Sequence, residues 1–201
     1  MPSLRLDQLA SRHVGPVSLE IAAGECVCLR GASGSGKSVL LRAIADLDPH
    51  GGEAFLDDHA CSAMPAPQWR RQVALVMAES QWWAAQVGEH FAHGLRPEWL
   101  ERLGLAADAA QWEVARCSTG ERQRLALLRT LMLQPAVLLL DEPTGNLDAD
   151  STRRVEALLR DYQADSGCAV LWVSHDEAQA ARVAHRQFVL DGGQLREQAE
   201  Q

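Results

Sequence analysis

The chain is predicted to be α/β: a mostly parallel sheet with an antiparallel β piece and a small helical subdomain. Three observations carry this. Cys26–Arg30 is a short apolar run, followed by a glycine loop and then by the helical pattern Val39–Ile44. From Ser118 onward helical and strand patterns alternate, which is the order of a parallel sheet with crossover helices. Leu4–Leu6 and Val17–Ile21 instead alternate apolar with polar residues, the mark of a half-buried antiparallel sheet.

Each element has a local reason. Ala23-Gly24-Glu25 is a turn before the loop strand. Ala54-Phe55-Leu56, between Gly51-Gly52 and Asp57-Asp58, is a further short strand. Residues from about Trp69 to Arg116 hold most of the tryptophans and show little strand character after Met77. They are read as the helical subdomain, whose insertion is placed at about 79–133. A helix runs from Ser118 through about Leu133. Then come the strand Val137–Leu140, a helix from about Ser151 to Tyr162, the strand Ala169–Ser174 and a helix from Asp176. Phe188–Leu190, the turn Asp191-Gly192-Gly193, and Gln194-Leu195 form a closing hairpin.

Bulk properties exclude several classes. The 201 residues suit one domain, taken as 1–201. A formal net charge of −8 argues against nucleic acid as a partner, since that affinity comes from basic residues. No apolar stretch approaches the ~20 residues that cross a bilayer. The segment Met1–Asp7 lacks the pattern of a signal peptide. The cysteines are Cys26, Cys28, Cys61, Cys117 and Cys168, an odd number without C-x-x-C spacing. Reduced core thiols are the expectation, with Cys26 and Cys28 on one strand face.

Two segments carry the chemistry. Gly31-Ala32-Ser33-Gly34-Ser35-Gly36-Lys37-Ser38, with Val39 opening the helix, fits G-x-x-x-x-G-K-[ST]. Its backbone N–H groups can cradle phosphates, and the helix N-terminus adds positive potential. A phosphate cradle needs Mg²⁺, which takes a loop hydroxyl and a nearby carboxylate: Ser38 and Asp141 are the candidates. Glu142, one residue further on, is placed to orient or deprotonate an attacking water. The pair therefore implies nucleotide hydrolysis.

A third motif points to a family. Cys117-Ser118-Thr119-Gly120-Glu121-Arg122-Gln123-Arg124 begins a helix, with Ser118 and Glu121 spaced as a capping box. Combined with the two nucleotide motifs, it resembles the LSGGQ signature of ATP-binding cassette ATPases, which are P-loop NTPases. Asp141–Asp148 resembles that family's Walker B motif running into the D-loop, and Trp172–Asp176 resembles its switch-histidine segment.

The resemblance implies ATP and Mg²⁺ as cofactors and a head-to-tail homodimer with two ATP molecules at its interface. Lys37 would contact the β- and γ-phosphates, and His175 the γ-phosphate. Ser118, Gly120 and Glu121 of the opposite subunit would present donors to the same phosphate, and Asp148 would communicate across the interface. Hydrolysis would drive a separately encoded transmembrane permease, holding the chain in the cytoplasm at the inner membrane face. The stretch Asp141–Asp148 and the compact subdomain are similar to exporter ATPases, so export is preferred over import. The other reading is a nucleotide-dependent dimerisation switch with little turnover.

Three positions depart from the family pattern. Ala78 stands where a glutamine usually reaches Mg²⁺ and the water; Glu79 or Gln81 substitutes only with a shifted loop. The adenine-stacking aromatic is absent, leaving His13 or Arg12 to stack on the base, or no specific contact. Cys117 and Thr119 replace the usual leucine and first glycine. Trp82-Trp83 falls where the family docks its membrane partner, so docking and subdomain packing both remain open.

Overall fold

The computed structural model describes residues 2–92 and 94–198; Met1, included in the signal-peptide reading, lies outside them. Strands β1 (Leu4–Ser11) and β2 (Val14–Ile21) form a hairpin, followed by β3 (Cys26–Arg30) and helix α1 (Lys37–Ile44). Next come β4 (Gly51–Leu56), β5 (His59–Ala60), α2 (Ala66–Gln72) and β6 (Val73–Val76). The middle of the chain carries 3₁₀ turns, the short helix α3 (Pro97–Arg102) and the longer α4 (Thr119–Leu131). The last part is β7 (Val137–Asp141), α5 (Ala149–Ser166), β8 (Ala169–Val173), α6 (Glu177–Val183), β9 (Arg186–Asp191) and β10 (Gln194–Gln198).

Two sheets result. The antiparallel sheet has the order β2-β1-β4-β5, and the main sheet the order β10-β9-β3-β8-β7-β6. Strands β9, β3, β8, β7 and β6 are parallel, and only β10 returns antiparallel, through the expected hairpin. Both the mostly parallel sheet and the antiparallel piece are thus as expected. No described helix is long and apolar enough to cross a membrane.

The main sheet separates two hydrophobic cores. Val27, Leu29, Val137, Leu139, Leu171 and Val173 pack on one face with α1 and the antiparallel sheet. Cys26, Leu138, Leu140, Val170 and Trp172 pack on the other with α4 and α5. Period-2 alternation of side chains along each strand divides them this way. All five cysteines are buried, free thiols.

The middle segment differs from the sequence reading. Between β6 and α4 it is mainly 3₁₀ turns plus six residues of α3, because no apolar period runs long enough there to sustain a helix. Trp69 does not belong to that segment. It lies on α2, is fully buried in the core beside α1, and donates Nε1–H to the Ile44 carbonyl at 2.9 Å.

Candidate functional site

The phosphate loop is shaped by its glycines. Gly36 caps α1 at φ 101°, and a Cβ there would lie 2.2 Å from Val14 Cγ2. Only glycine permits both that conformation and that approach. The same position lies 3.4 Å from His13 Nε2, so the β1–β2 turn lays the exposed His13 ring against the loop. His13 therefore sits beside the site. Lys37, buried at the start of α1, donates to the Gly31 carbonyl at 2.8 Å and the Ala32 carbonyl at 3.0 Å. Burial lowers its pKa, while Glu142 and Asp141 act against that shift.

Strand β7 delivers the carboxylates. Asp141 pairs with Val173 across the sheet, and burial raises its carboxyl pKa; a hydrogen bond with Ser38 is the largest opposing influence. Ser38 and Asp141 are therefore neighbours. Both offer hard oxygen donors, a set that fits Mg²⁺. A proton held more firmly on Asp141 competes with the cation, so Mg²⁺ affinity is expected to rise with pH in titrations of the nucleotide complex.

Glu142 leaves the strand with φ 48°, a left-handed conformation costing a non-glycine residue about 1–3 kcal/mol. The bend brings Glu142 Oε1 to 2.6 Å from His175 Nε2. A cavity of about 640 Å³ borders this pair and is lined also by Thr144, Ser174 and Gln179.

Two glutamines with no assigned part in the sequence reading hold this arrangement. Gln123 of α4, 3% exposed, donates Nε2–H to the Glu142 carbonyl at 2.9 Å. Gln179 of α6, equally buried, exchanges hydrogen bonds with Thr144, Ser174 and Glu156. Neither link has a local sequence signal, because the partners lie 19 and up to 35 residues away. Gln123→Leu is expected to slow ATP turnover severalfold while changing nucleotide affinity less than about twofold. Unchanged turnover would show that the Glu142 bend holds without it.

The signature residues are not gathered with the phosphate loop. Ser118 caps α4, its hydroxyl accepting from Glu121 N at 3.2 Å while the Glu121 carboxylate accepts from Ser118 N at 2.8 Å. This is the expected capping box, and its backbone hydrogen bond is the main cause lowering the Glu121 pKa. A Cβ at Gly120 would meet Leu147 at 3.1 Å, so the helix start rests on its own 146–147 loop. Thr119 is exposed, and its hydroxyl accepts from Arg122 Nη2 at 3.3 Å.

Asp148 is the N-cap of α5, with its carboxylate accepting from Ser151 N and Ser151 Oγ, both at 2.9 Å. Asp148→Ala is expected to cost about 1 kcal/mol, read from chemical denaturation.

At the departures, β6 ends at Val76, paired with Leu140, and Ala78 lies two residues beyond it in a bend. Glu79 and Gln81 are both exposed. Trp82 packs against the second core, whereas Trp83 is 71% exposed. Both rings meet His90 edge-on, and the Arg129 guanidinium lies over both.

The family model described as ABC transporter matches residues 14–145. The chain belongs to the ABC transporter family. It is 38% identical over 194 residues to the Fe(3+) ions import ATP-binding protein FbpC of Streptomyces avermitilis, covering 89% of this chain. The chain spans only 55% of that relative's length. It is 39% identical over 188 residues to the aliphatic sulfonates import ATP-binding protein SsuB of Pseudomonas entomophila, covering 88% of this chain and 67% of that one.

A solved dimeric bacterial ABC transporter cassette superposes with TM-score 0.82 at 25% identity, covering 98% of both chains. A bacterial Atm1-family ABC exporter with ATP bound gives TM-score 0.84 at 24% identity, covering 98% of this chain and 38% of that one; this likeness concerns the fold alone. Both relatives are named as import proteins, so the preference for an exporter finds no support in this part of the ABC transporter family.

Proposed function

We propose that this chain binds and hydrolyses ATP as the motor subunit of an ABC transporter. The observation that carries this is the convergence, from three separate parts of the fold, of the Gly31–Ser38 loop, of Asp141 and Glu142 at the end of β7, and of His175 after β8. In this reading the loop amides and Lys37 bind the phosphates. Lys37 would exchange its two carbonyl partners for phosphate oxygens as nucleotide enters. Ser38 and Asp141 would hold Mg²⁺, which offsets the charge on the β- and γ-phosphate oxygens when bound. Glu142 accepts a proton from the attacking water, and His175 steadies both the Glu142 carboxylate and the γ-phosphate. The chain thus works mainly by positioning and electrostatics.

The site is incomplete in one copy, since Ser118–Glu121 rests on its own chain away from the phosphate loop. A second copy placed head-to-tail would bring these donors to the γ-phosphate, and Asp148 would lie near the shared interface. His13 is the side chain available to the adenine. The motor would act on a membrane-spanning permease from the cytoplasmic side, and the relatives' names favour import. A dimerisation switch with little turnover is the second reading, favoured by Ala78. Sedimentation with MgATP, alongside phosphate release in the presence of the permease, tests both. An ATP-dependent dimer that releases phosphate supports the motor; a stable ATP dimer with no release supports the switch. A chain that stays monomeric and silent contradicts both.

A further inference from the structure

We propose that Asp46, His50 and Cys61 form a binding site for a thiophilic divalent cation of the Zn²⁺ class, separate from the nucleotide site. Three parts of the fold meet there. Asp46 lies two residues beyond α1, His50 immediately precedes β4, and Cys61 immediately follows β5. One donor atom from each residue lies within 4.8 Å of the other two. Bond lengths of about 2.0–2.3 Å set tetrahedral ligand separations of roughly 3.3–3.8 Å, so a modest inward shift closes the site.

The surroundings suit an ion. His50 Nδ1 is buried without a hydrogen-bond partner, an arrangement that a bound cation resolves. Asp46 is held in a left-handed conformation, φ 54°, and Arg70 grips it from outside. Arg70 Nε donates to the Asp46 carbonyl at 3.1 Å and its Nη2 to Asp46 Oδ2 at 3.3 Å, which leaves Oδ1 as the ligand oxygen. Such an outer contact orients a ligating carboxylate.

Glu53, near Cys61 and His50, accepts hydrogen bonds from Ser62 and from Ala54 N. A thiolate and a carboxylate with neutral imidazole would make a dication site of zero net charge. The mixed S, N, O donor set excludes Mg²⁺ and Ca²⁺, which prefer all-oxygen ligands. Cys61 is 5% exposed while Asp46 and His50 are half-buried, so the ion would enter from their side. Binding would tie the end of the phosphate-loop helix to the β4–β5 hairpin.

Co²⁺ titration of the reduced, metal-free chain in excess Mg²⁺ tests this. The expected result is one Co²⁺ per chain, with a thiolate-to-cobalt charge-transfer band and tetrahedral d–d bands. Cys61→Ser should abolish the charge-transfer band, His50→Gln should weaken binding at least tenfold, and Cys168→Ser should leave it intact. Zn²⁺ should raise the melting temperature of the parent and of Cys168→Ser but not of His50→Gln, which retains Cys61 and its packing. Absence of the band in the parent, or its persistence in Cys61→Ser, would overturn the proposal.

Discussion

Glu142→Gln is expected to lower ATP turnover by about 10²–10⁴-fold while leaving nucleotide binding within a few-fold of the parent. The substitution keeps side-chain length and shape, so the left-handed bend at φ 48° and the Gln123 hydrogen bond to its carbonyl persist. What is lost is the proton acceptor 2.6 Å from His175 Nε2. Because binding and assembly survive, the variant should accumulate as an ATP-bound dimer. Phosphate release under single-turnover conditions with the permease is the measurement. A rate within threefold of the parent would remove Glu142 from the chemistry.

Trp69→Ala is expected to cost about 3–5 kcal/mol from the cavity it leaves, with a further ~1 kcal/mol for the unpartnered Ile44 carbonyl. Trp69 is fully buried in the first core, and its indole N–H joins α2 to the last residue of α1. Domains carry roughly 5–15 kcal/mol in total, so this single change removes a large share. For a chain of this size the melting temperature should fall by roughly 10 °C or more. Trp69→Phe, which keeps a ring but loses the N–H, should fall between the two. A Trp69→Ala protein melting within about 2 °C of the parent would show that the core recloses.

The fold was most legible where one local rule acted alone. Cys26–Arg30, the glycine loop and the apolar Val137–Leu140 run are short, strongly patterned and bounded by clear breakers, and each lies where expected. Strand β1 extends to Ser11, well past the alternating Leu4–Leu6, because its pairing with β2 shifts register between Leu6 and Leu9 and breaks the period-2 pattern. In the sequence Trp69 reads together with the later tryptophans because α2 is only seven residues long, too short to show a face. The candidate loop and carboxylates are readable because their chemistry fixes both residue type and spacing, whereas His175 is reached only through the family resemblance. Gln123 and Gln179 are not readable, because their work is done through contacts that no neighbouring residue announces.

The alternation that divides the two cores also governs what the chain can tolerate by insertion or deletion. A slip of β7 by one residue would turn Leu138 and Leu140 toward the core now filled by Leu139 and Val137, exchanging the two packing faces. The same slip would move Asp141 about 3.3 Å along the strand, away from Ser38. Length changes inside β7 should therefore abolish folding and cation binding together. The packing that makes the sheet stable also calibrates where its charges fall.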